Sequence, residues 1–423
     1  MTVTDTTYKN FVQILTEELI PAMGCTEPIA IAYAAAKARE TLGALPTEMS
    51  VAVSGNIIKN VKSVVVPHTG GLRGIVSAAA AGAVAGQAGR ELEVISDVTD
   101  KQIEEIKNYL QTASIEVRHA ETPHIFDIMV TARRDGETAF VRIAEHHTNL
   151  VCIRKNDKIL FEKQIEEKEN GLTDRTCLSI ERIIEFADCV DTADVAPVLE
   201  RQIAYNMAIA EEGLAKPYGA NIGKTLLKNH GSDLSYKMRA YAAAASDARM
   251  NGCEKPVIIN SGSGNQGLTT SIPVIVYARE KGLTQEELLR GLCVANLVTT
   301  HLKTGIGRLS AYCGAVSAGC GAAAGICYLQ GGRFHAIAHT VVNALAMDSG
   351  IVCDGAKASC AAKISSAIDA GLLGLEMYHS GDQFYGGDGL VKKGVENTIA
   401  TIGRLAQQGM GQTDKEIIRL MME

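Results

Sequence analysis

The chain has 423 residues, 46% apolar and 21% charged, with a formal net charge of −7 and no tryptophan. That length accommodates two or three domains with cores of their own, the composition is that of a soluble globular protein, and the acidic balance leaves no basic footprint for nucleic acid. Eleven cysteines in so long a chain do not read as a disulfide framework, and the first residues lack the basic-then-apolar pattern of a signal peptide, so a cytoplasmic protein with reduced thiols is expected.

Residues 8–20 (YKNFVQILTEELI) carry apolar residues at helical spacing, and Pro21 ends the run. The next helix lies in AMGCTEPIAIAYAAAKARETLG, with Thr26 as its cap and Glu27 and Pro28 in its first turn. Cys25 therefore stands just before a helix N-terminus, where the dipole and free N–H groups favour a thiolate. A buried structural thiol is the competing reading.

From Glu48 the apolar period changes to two. MSVAVSG and KSVVVPHTG read as strands around a turn, NIIKN, that offers Asn56, Lys59 and Asn60. Pro67, His68, Thr69, Gly70 and Gly71 then lead into a Gly/Ala helix, a loop type that can hold a carboxylate on backbone N–H groups. Further strands are expected at SIEVRHA, IFDIMVTARR, TAFVRIAEHHTNLVCIR and KILFEKQ, with one helix, TDKQIEEIKNYLQTA, before them. Residues 46–165 thus form an α+β module with a smaller antiparallel sheet. His146 and His147, adjacent in a strand, point to opposite faces, and His147, beside Thr148 and Asn149, is the one placed toward a cleft.

The acidic stretch EKQIEEKENG reads as a linker, and beyond it the pattern is helical almost to the end. Residues 166–423 form a mostly helical domain, on which the helices of residues 1–45 are expected to pack. GANIGKT (219–225) has three residues between its glycines where a phosphate-binding P-loop needs four. SGSGNQG (261–267) lacks the βαβ setting of a dinucleotide site. Its content is a run of backbone N–H groups with Ser261, Ser263 and Asn265 at the head of an apolar helix, which suits a small carboxylate; a tight interhelix turn is the plain alternative.

Cys313, Cys320, Cys327, Cys353 and Cys360 fall within residues 309–360, among glycines and alanines. A single free cysteine is commonly a small buried hydrophobe. The short C-x-x-C knuckles of structural zinc and the C-x-x-C-x-x-C run of low-potential ferredoxins are both absent, so spacing permits a metal site without establishing one. Residues 309–332 are long enough to span a bilayer, but their Gly, Ala, Ser and Cys content favours a helix buried in protein.

Taken together, GCTEP (24–28), SGSGNQG, SDARM (246–250), RLSAYC (308–313) and CDGAKASC (353–360) resemble the L-cysteine desulfidase family and its serine dehydratase-like alpha-subunit relatives. A more distant likeness is to the iron–sulfur L-serine dehydratases, which carry a longer interval between their last two cysteines. The resemblance spans nearly the whole chain, with the motifs in the expected order. It implies an oxygen-sensitive [4Fe–4S] cluster held by Cys313, Cys353 and Cys360 with one iron open, Cys320 being left as core. It also implies Cys25 close to the open iron, and Lys59 and His147 as further candidates for the base. Ser261, Gly262, Ser263, Gly264 and Asn265 would seat the substrate carboxylate, with Asn56, Asn60, Thr69 and Asn149 lining the cleft. The implied reaction is β-elimination of L-cysteine to pyruvate, ammonia and sulfide with the open iron as Lewis acid. The alternatives are L-serine dehydration on the same scaffold and, from another class, a non-catalytic cluster-binding protein; a pyridoxal phosphate enzyme would need a Schiff-base lysine. The expected partner is a small amino-acid substrate, with neither nucleic acid nor membrane, and a homodimer is left open.

Overall fold

The computed structural model describes residues 1–2, 5–24, 26–165, 172–307 and 310–423, and these build an α+β molecule around two apolar cores. The expected acidic linker falls largely on residues 166–171, outside the described residues. Helix α1 (Thr6–Glu18) buries Tyr8, Phe11, Ile14 and Leu15, one helical face, in the core of the helical part. Strand β1 (Pro21–Met23) follows, then α2 (Thr26–Leu42).

Six strands form one sheet: β2 (Glu48–Val53), β3 (Ser114–His119), β4 (Asp127–Arg134), β5 (Glu137–Ala144), β6 (Leu150–Lys155) and β7 (Lys158–Glu162). Their order is β3-β2-β4-β5-β6-β7. Four pairings are antiparallel and one, β2 with β3, is parallel, so the sheet is mixed rather than wholly antiparallel. The reason is the connection: β2 reaches β3 through helices α3 (Gly55–Val61), α4 (Gly74–Ala85) and α5 (Asp100–Thr112), the kind of crossover a parallel pair requires.

Several local expectations change. NIIKN is part of helix α3 and not a turn, which puts Asn56, Lys59 and Asn60, three and four apart, on one face. KSVVVPHTG forms no strand beyond a single bridge from Val65 to Arg73. Pro67 has no N–H to donate, and His68, Gly70 and Gly71 take positive φ. The run expected as one strand through His146 and His147 breaks at Glu145, also at positive φ, and both histidines lie in the turn between β5 and β6. Face alternation therefore does not govern them. Helix α2, expected on the helical body, lies in the core of the sheet. It is apolar around most of its circumference, and Gly82 lets α4 approach it so closely that a Cβ there would strike the Ala32 carbonyl.

The helical part comprises α6 (Ile180–Cys189), α7 (Thr192–Ala215), α8 (Ile222–His230), α9 (Leu234–Met250), the short strand β8 (Pro256–Ile258), α10 (Gly264–Lys281), α11 (Gln285–Ile306), α12 (Gly314–Leu329), α13 (Phe334–Asp348), α14 (Cys360–His379), α15 (Val395–Arg404) and α16 (Gly411–Met422). At its centre α12 is buried from Ala315 to Tyr328, with α10, α11, α13 and α14 packed around it. A Cβ on Gly319 would strike the Ala367 carbonyl of α14, and one on Gly321 would strike Thr299 and the Ala295 carbonyl of α11. Small residues let these helices close on the charge-free run. Among the described residues no helix is long and apolar enough to cross a membrane. The chain finally returns to the sheet part, where α16 packs on α3 with Ile418 seated over Gly55.

Candidate active site

Cys313 immediately precedes α12, Cys360 opens α14, and Cys353 lies in the loop between α13 and α14. A one-residue bridge between Tyr312 and Val352 ties the first segment to the last: Cys313 N donates to Ile351 O (3.0 Å) and Cys353 N to Ala311 O (2.6 Å). The Cys313 and Cys353 side chains hydrogen-bond to each other, and Cys360 is close enough for its charge to act on Cys313 and to feel that of Cys353. The hydrogen bond from Cys313, together with Lys59, the Gly355 N–H and Lys363, holds Cys353 well below the usual thiol value against the effect of burial. The same hydrogen bond, with burial, holds Cys313 up, and the lysines beside Cys353 favour negative charge on its sulfur. Burial also raises Cys360, whose Sγ donates to Gly355 O (3.4 Å). Cys320 is buried in the helical core, as expected, and so is Cys327.

Lysines surround these sulfurs. Lys59 on α3 is only 2% exposed and pairs with Asp414 of α16. A Cβ on Gly355, which sits at φ 90°, would strike the Lys59 carbonyl, so the thiol loop rests directly on α3. Lys303, near the end of α11, is 5% exposed; burial, opposed by Cys353 and Cys313 and aided by Lys59, pushes it down to about 8. Lys363 and Lys357 both pair with Asp354. Burial would raise the Asp354 carboxyl, but the two lysines together hold it below its usual range.

Among the described residues no group of three or more His, Cys, Asp or Glu is gathered tightly enough for a single metal ion. A four-iron cube makes a different demand, one thiolate to each of separate irons, so its ligands stand further apart than those of one ion. Three soft donors within a cationic shell that offsets their charge supply the ligand chemistry of such a cube, while Cys313 and Cys353, hydrogen-bonded to each other, stand closer together than its corners would hold them.

Cys25 lies outside the described residues, but its neighbours are fixed. Gly24 O accepts from Arg249 Nη2 (3.0 Å). The Thr26 hydroxyl, expected to cap α2, meets His147 Nε2 instead (2.9 Å). His147 packs edge-on against Phe126, centroids 4.6 Å apart. Burial lowers its pKa, with Glu27 opposing and His146 assisting, so the ring is neutral at neutral pH. Asn60 Nδ2 donates to Glu27 Oε1 (3.2 Å). The polar face of α3 thus runs from the Cys25 segment, through Asn60, to the thiol loop, through Lys59. Asn56 Oδ1, on the same face, is buried without a hydrogen-bond partner.

SGSGNQG is helical sooner than its sequence suggests: α10 begins at Gly264, with Ser263 accepting from Gln266 N. Ser261 gives its N–H to Glu18 Oε2 (3.0 Å) and its hydroxyl to Asn260 Oδ1 (2.8 Å), so both its donors are spent inside the protein, while Gly262 is exposed. Asn265 Oδ1 accepts from Arg249 Nη1 (3.3 Å) and Ser246 Oγ (3.4 Å). A Cβ on Gly264 would meet the Arg249 guanidinium, whose Nε is buried without a partner. Arg249 thereby ties GCTEP to SGSGNQG. Beneath the loop, fully buried Asn206 donates to Ile258 O, Gly267 O and Ser271 Oγ and accepts from Ile258 N, fixing β8 against the first turns of α10. On the other side, the Gln266 side chain lies against Gly314, the residue after Cys313.

Two residues expected in the cleft face elsewhere. The Thr69 hydroxyl is fully buried and closes its own loop onto Val66 O (2.7 Å). Asn149 Nδ2 donates to Ala144 O (2.7 Å) and shapes the turn that carries His147. Lys303, Arg249 and Gln266 went unassigned from the sequence; of these Arg249 and Gln266 carried a signal, as parts of SDARM and SGSGNQG. The neighbouring Asp247 accepts from Gly223 N (3.1 Å) at the start of α8. In GANIGKT the helix end is therefore occupied by the protein's own carboxylate, consistent with its departure from P-loop spacing.

Residues 89–419 match the serine dehydratase alpha chain family. Over 419 residues the chain is 57% identical to a UPF0597 protein of Desulfitobacterium hafniense, covering 99% of this chain and 97% of the other. It is 49% identical to one of Treponema denticola, covering 98% of each, and 36% identical to one of Bacteroides fragilis, covering 99% of each.

Proposed function

The chain belongs to the serine dehydratase alpha chain family, and from that premise we propose that it is an iron–sulfur lyase that eliminates the β-substituent of a small L-amino acid, L-cysteine before L-serine. The observation that carries the reading is the gathering of Cys313, Cys353 and Cys360 inside a shell of Lys59, Lys303 and Lys363. A [4Fe–4S] cluster held by those three thiolates would supply an iron free to act as Lewis acid toward the leaving heteroatom.

The rest of the work falls to side chains. Arg249 and the first turn of α10 take the substrate carboxylate, a charge-assisted contact at a helix N-terminus. Lys59, paired with Asp414, is a source of positive charge and not a base. Removal of the α-proton belongs to the α2 end of the cleft, where neutral His147 sits against Thr26, next in sequence to Cys25. A neutral buried imidazole is competent for that step, since a general base must be unprotonated at working pH. The short CDGAKASC interval supports L-cysteine; the description of the family favours L-serine as the second reading.

Oxygen-free purification should yield iron and acid-labile sulfide in about equal amounts, with L-cysteine converted to pyruvate and sulfide faster than L-serine is converted to pyruvate. A preparation free of iron after anaerobic reconstitution, inactive on both amino acids, would remove the proposal.

A further inference from the structure

Gln266 is the polar residue of SGSGNQG to which the reading so far gives no task. It is 5% exposed, and its Oε1 is buried without a hydrogen-bond partner. The other buried amides of the same core are engaged: Gln202 and Asn296 bond to each other, Asn260 donates to Asn296, and Asn206 is saturated by β8 and α10. An unmet buried acceptor is costly and rare, and one beside a candidate site calls for a donor that arrives with the ligand.

The position of the carboxamide says which donor. A Cβ on Gly314 would lie 2.6 Å from Gln266 Cδ and 2.7 Å from Nε2, so glycine at that position is what lets the carboxamide reach the start of α12, next to Cys313. One and two residues earlier, Asn265 and Gly264 meet Arg249. The carboxamide thus stands between the seat proposed for a carboxylate and the first of the thiols. An amino acid whose carboxylate lies at Arg249 and whose β-substituent lies toward Cys313 has its α-carbon between the two, and the α-nitrogen branches from that carbon.

We infer that Gln266 Oε1 accepts a hydrogen bond from the substrate's α-ammonium, making Gln266 the residue that separates α-amino acids from analogues without the amine. The inference rests on the amino-acid reading above.

L-Alanine and propionate share a carbon skeleton and a carboxylate, differ in the amine, and neither has a β-leaving group. Calorimetric titration of the anaerobically purified protein with each should show L-alanine bound at least about tenfold more tightly, the effect of one hydrogen bond to a charged group. Gln266→Met, unbranched and without an acceptor, should bring L-alanine down to the level of propionate, and Gln266→Glu should restore the preference. A wild-type preference that survives in Gln266→Met overturns the Gln266 assignment alone. Equal binding of both ligands by the wild type also overturns it, and binding of neither takes down the amino-acid reading with it. Should Gln266→Met fail to fold, Gln266→Leu and Gln266→Glu give the same comparison.

Discussion

Cys320 and Cys353 carry the same side chain in opposite settings. Cys320 is enclosed in α12, where burial raises its thiol; Cys353 has a hydrogen-bonded sulfur partner and two lysines holding it down. Cys353→Ser and Cys360→Ser are each expected to abolish the visible absorbance of anaerobically reconstituted protein. Cys320→Ala should keep that absorbance at a stability cost of about 1 kcal/mol for the small cavity. Undiminished absorbance in Cys353→Ser would end the ligand assignment. His147 yields a pH prediction. Its pKa lies below 6.5 because burial favours the neutral ring, so the base form persists as pH falls and the acid limb of kcat/KM should lie below pH 6.5. Glu27 opposes that lowering, so Glu27→Gln should move the limb lower still. An acid limb above pH 6.5 that ignores Glu27→Gln would exclude His147 as the base. What could be read at this scale was whatever a motif concentrates, such as the thiols and Lys59. Lys303 could not, because a lysine in the last turn of a helix looks like an ordinary partner of the helix dipole until the fold buries it beside sulfur.

Among the elements, the strands were legible because alternation survives into the structure: Met49, Val51 and Val53 of β2 are buried, with Ser50 and Ala52 between them less so. Helix α3 was not. In seven residues the apolar set Ile57, Ile58 and Val61 fits a helix face but is too short to separate from a turn between strands. The partner of α2 was equally hidden, since a helix apolar on nearly every side does not say which side meets which core. Asp247 shows how a tertiary setting rewrites one position of an α9 motif. Burial, against the N–H groups of Gly223 and Ile222, lifts its carboxyl to about 6 from 3.8. A folded value above the unfolded one adds stability that is complete below the unfolded pKa and disappears as pH rises through about 6. Asp247→Asn keeps an acceptor for Gly223 and has no proton to lose. Between pH 5 and 7 the wild type should therefore lose about 1 kcal/mol relative to the variant, read as diverging melting temperatures. Parallel curves would show that Asp247 does not titrate in that window.

At the scale of the molecule, the site lies where the two cores meet, and the contacts that join the two parts there include Arg249 to Gly24, Arg73 to Asn251 (3.4 Å), His68 to Glu254 (3.0 Å), Gly355 on α3, and Asp414 to Lys59. The division into a sheet part and a helical part could be read from the change of apolar period. The return of the last helix to the first part could not, because Lys59 and Asp414 are 355 residues apart and nothing local pairs them. That pair makes the C-terminal helix part of the site, and a double-mutant cycle tests it. Asp414→Ala leaves a lysine only 2% exposed without its carboxylate. The cost should be about 2–3 kcal/mol in urea unfolding, below that of a fully buried pair because Asp414 is 20% exposed. Adding Lys59→Met removes the stranded charge and should recover most of that loss. Activity should be absent in the double variant, since Met supplies no positive charge beside Cys353. If Asp414→Ala is as stable as the wild type, the ion pair adds nothing to the hold on the helix; if the double variant is active, Lys59 has no part in the chemistry.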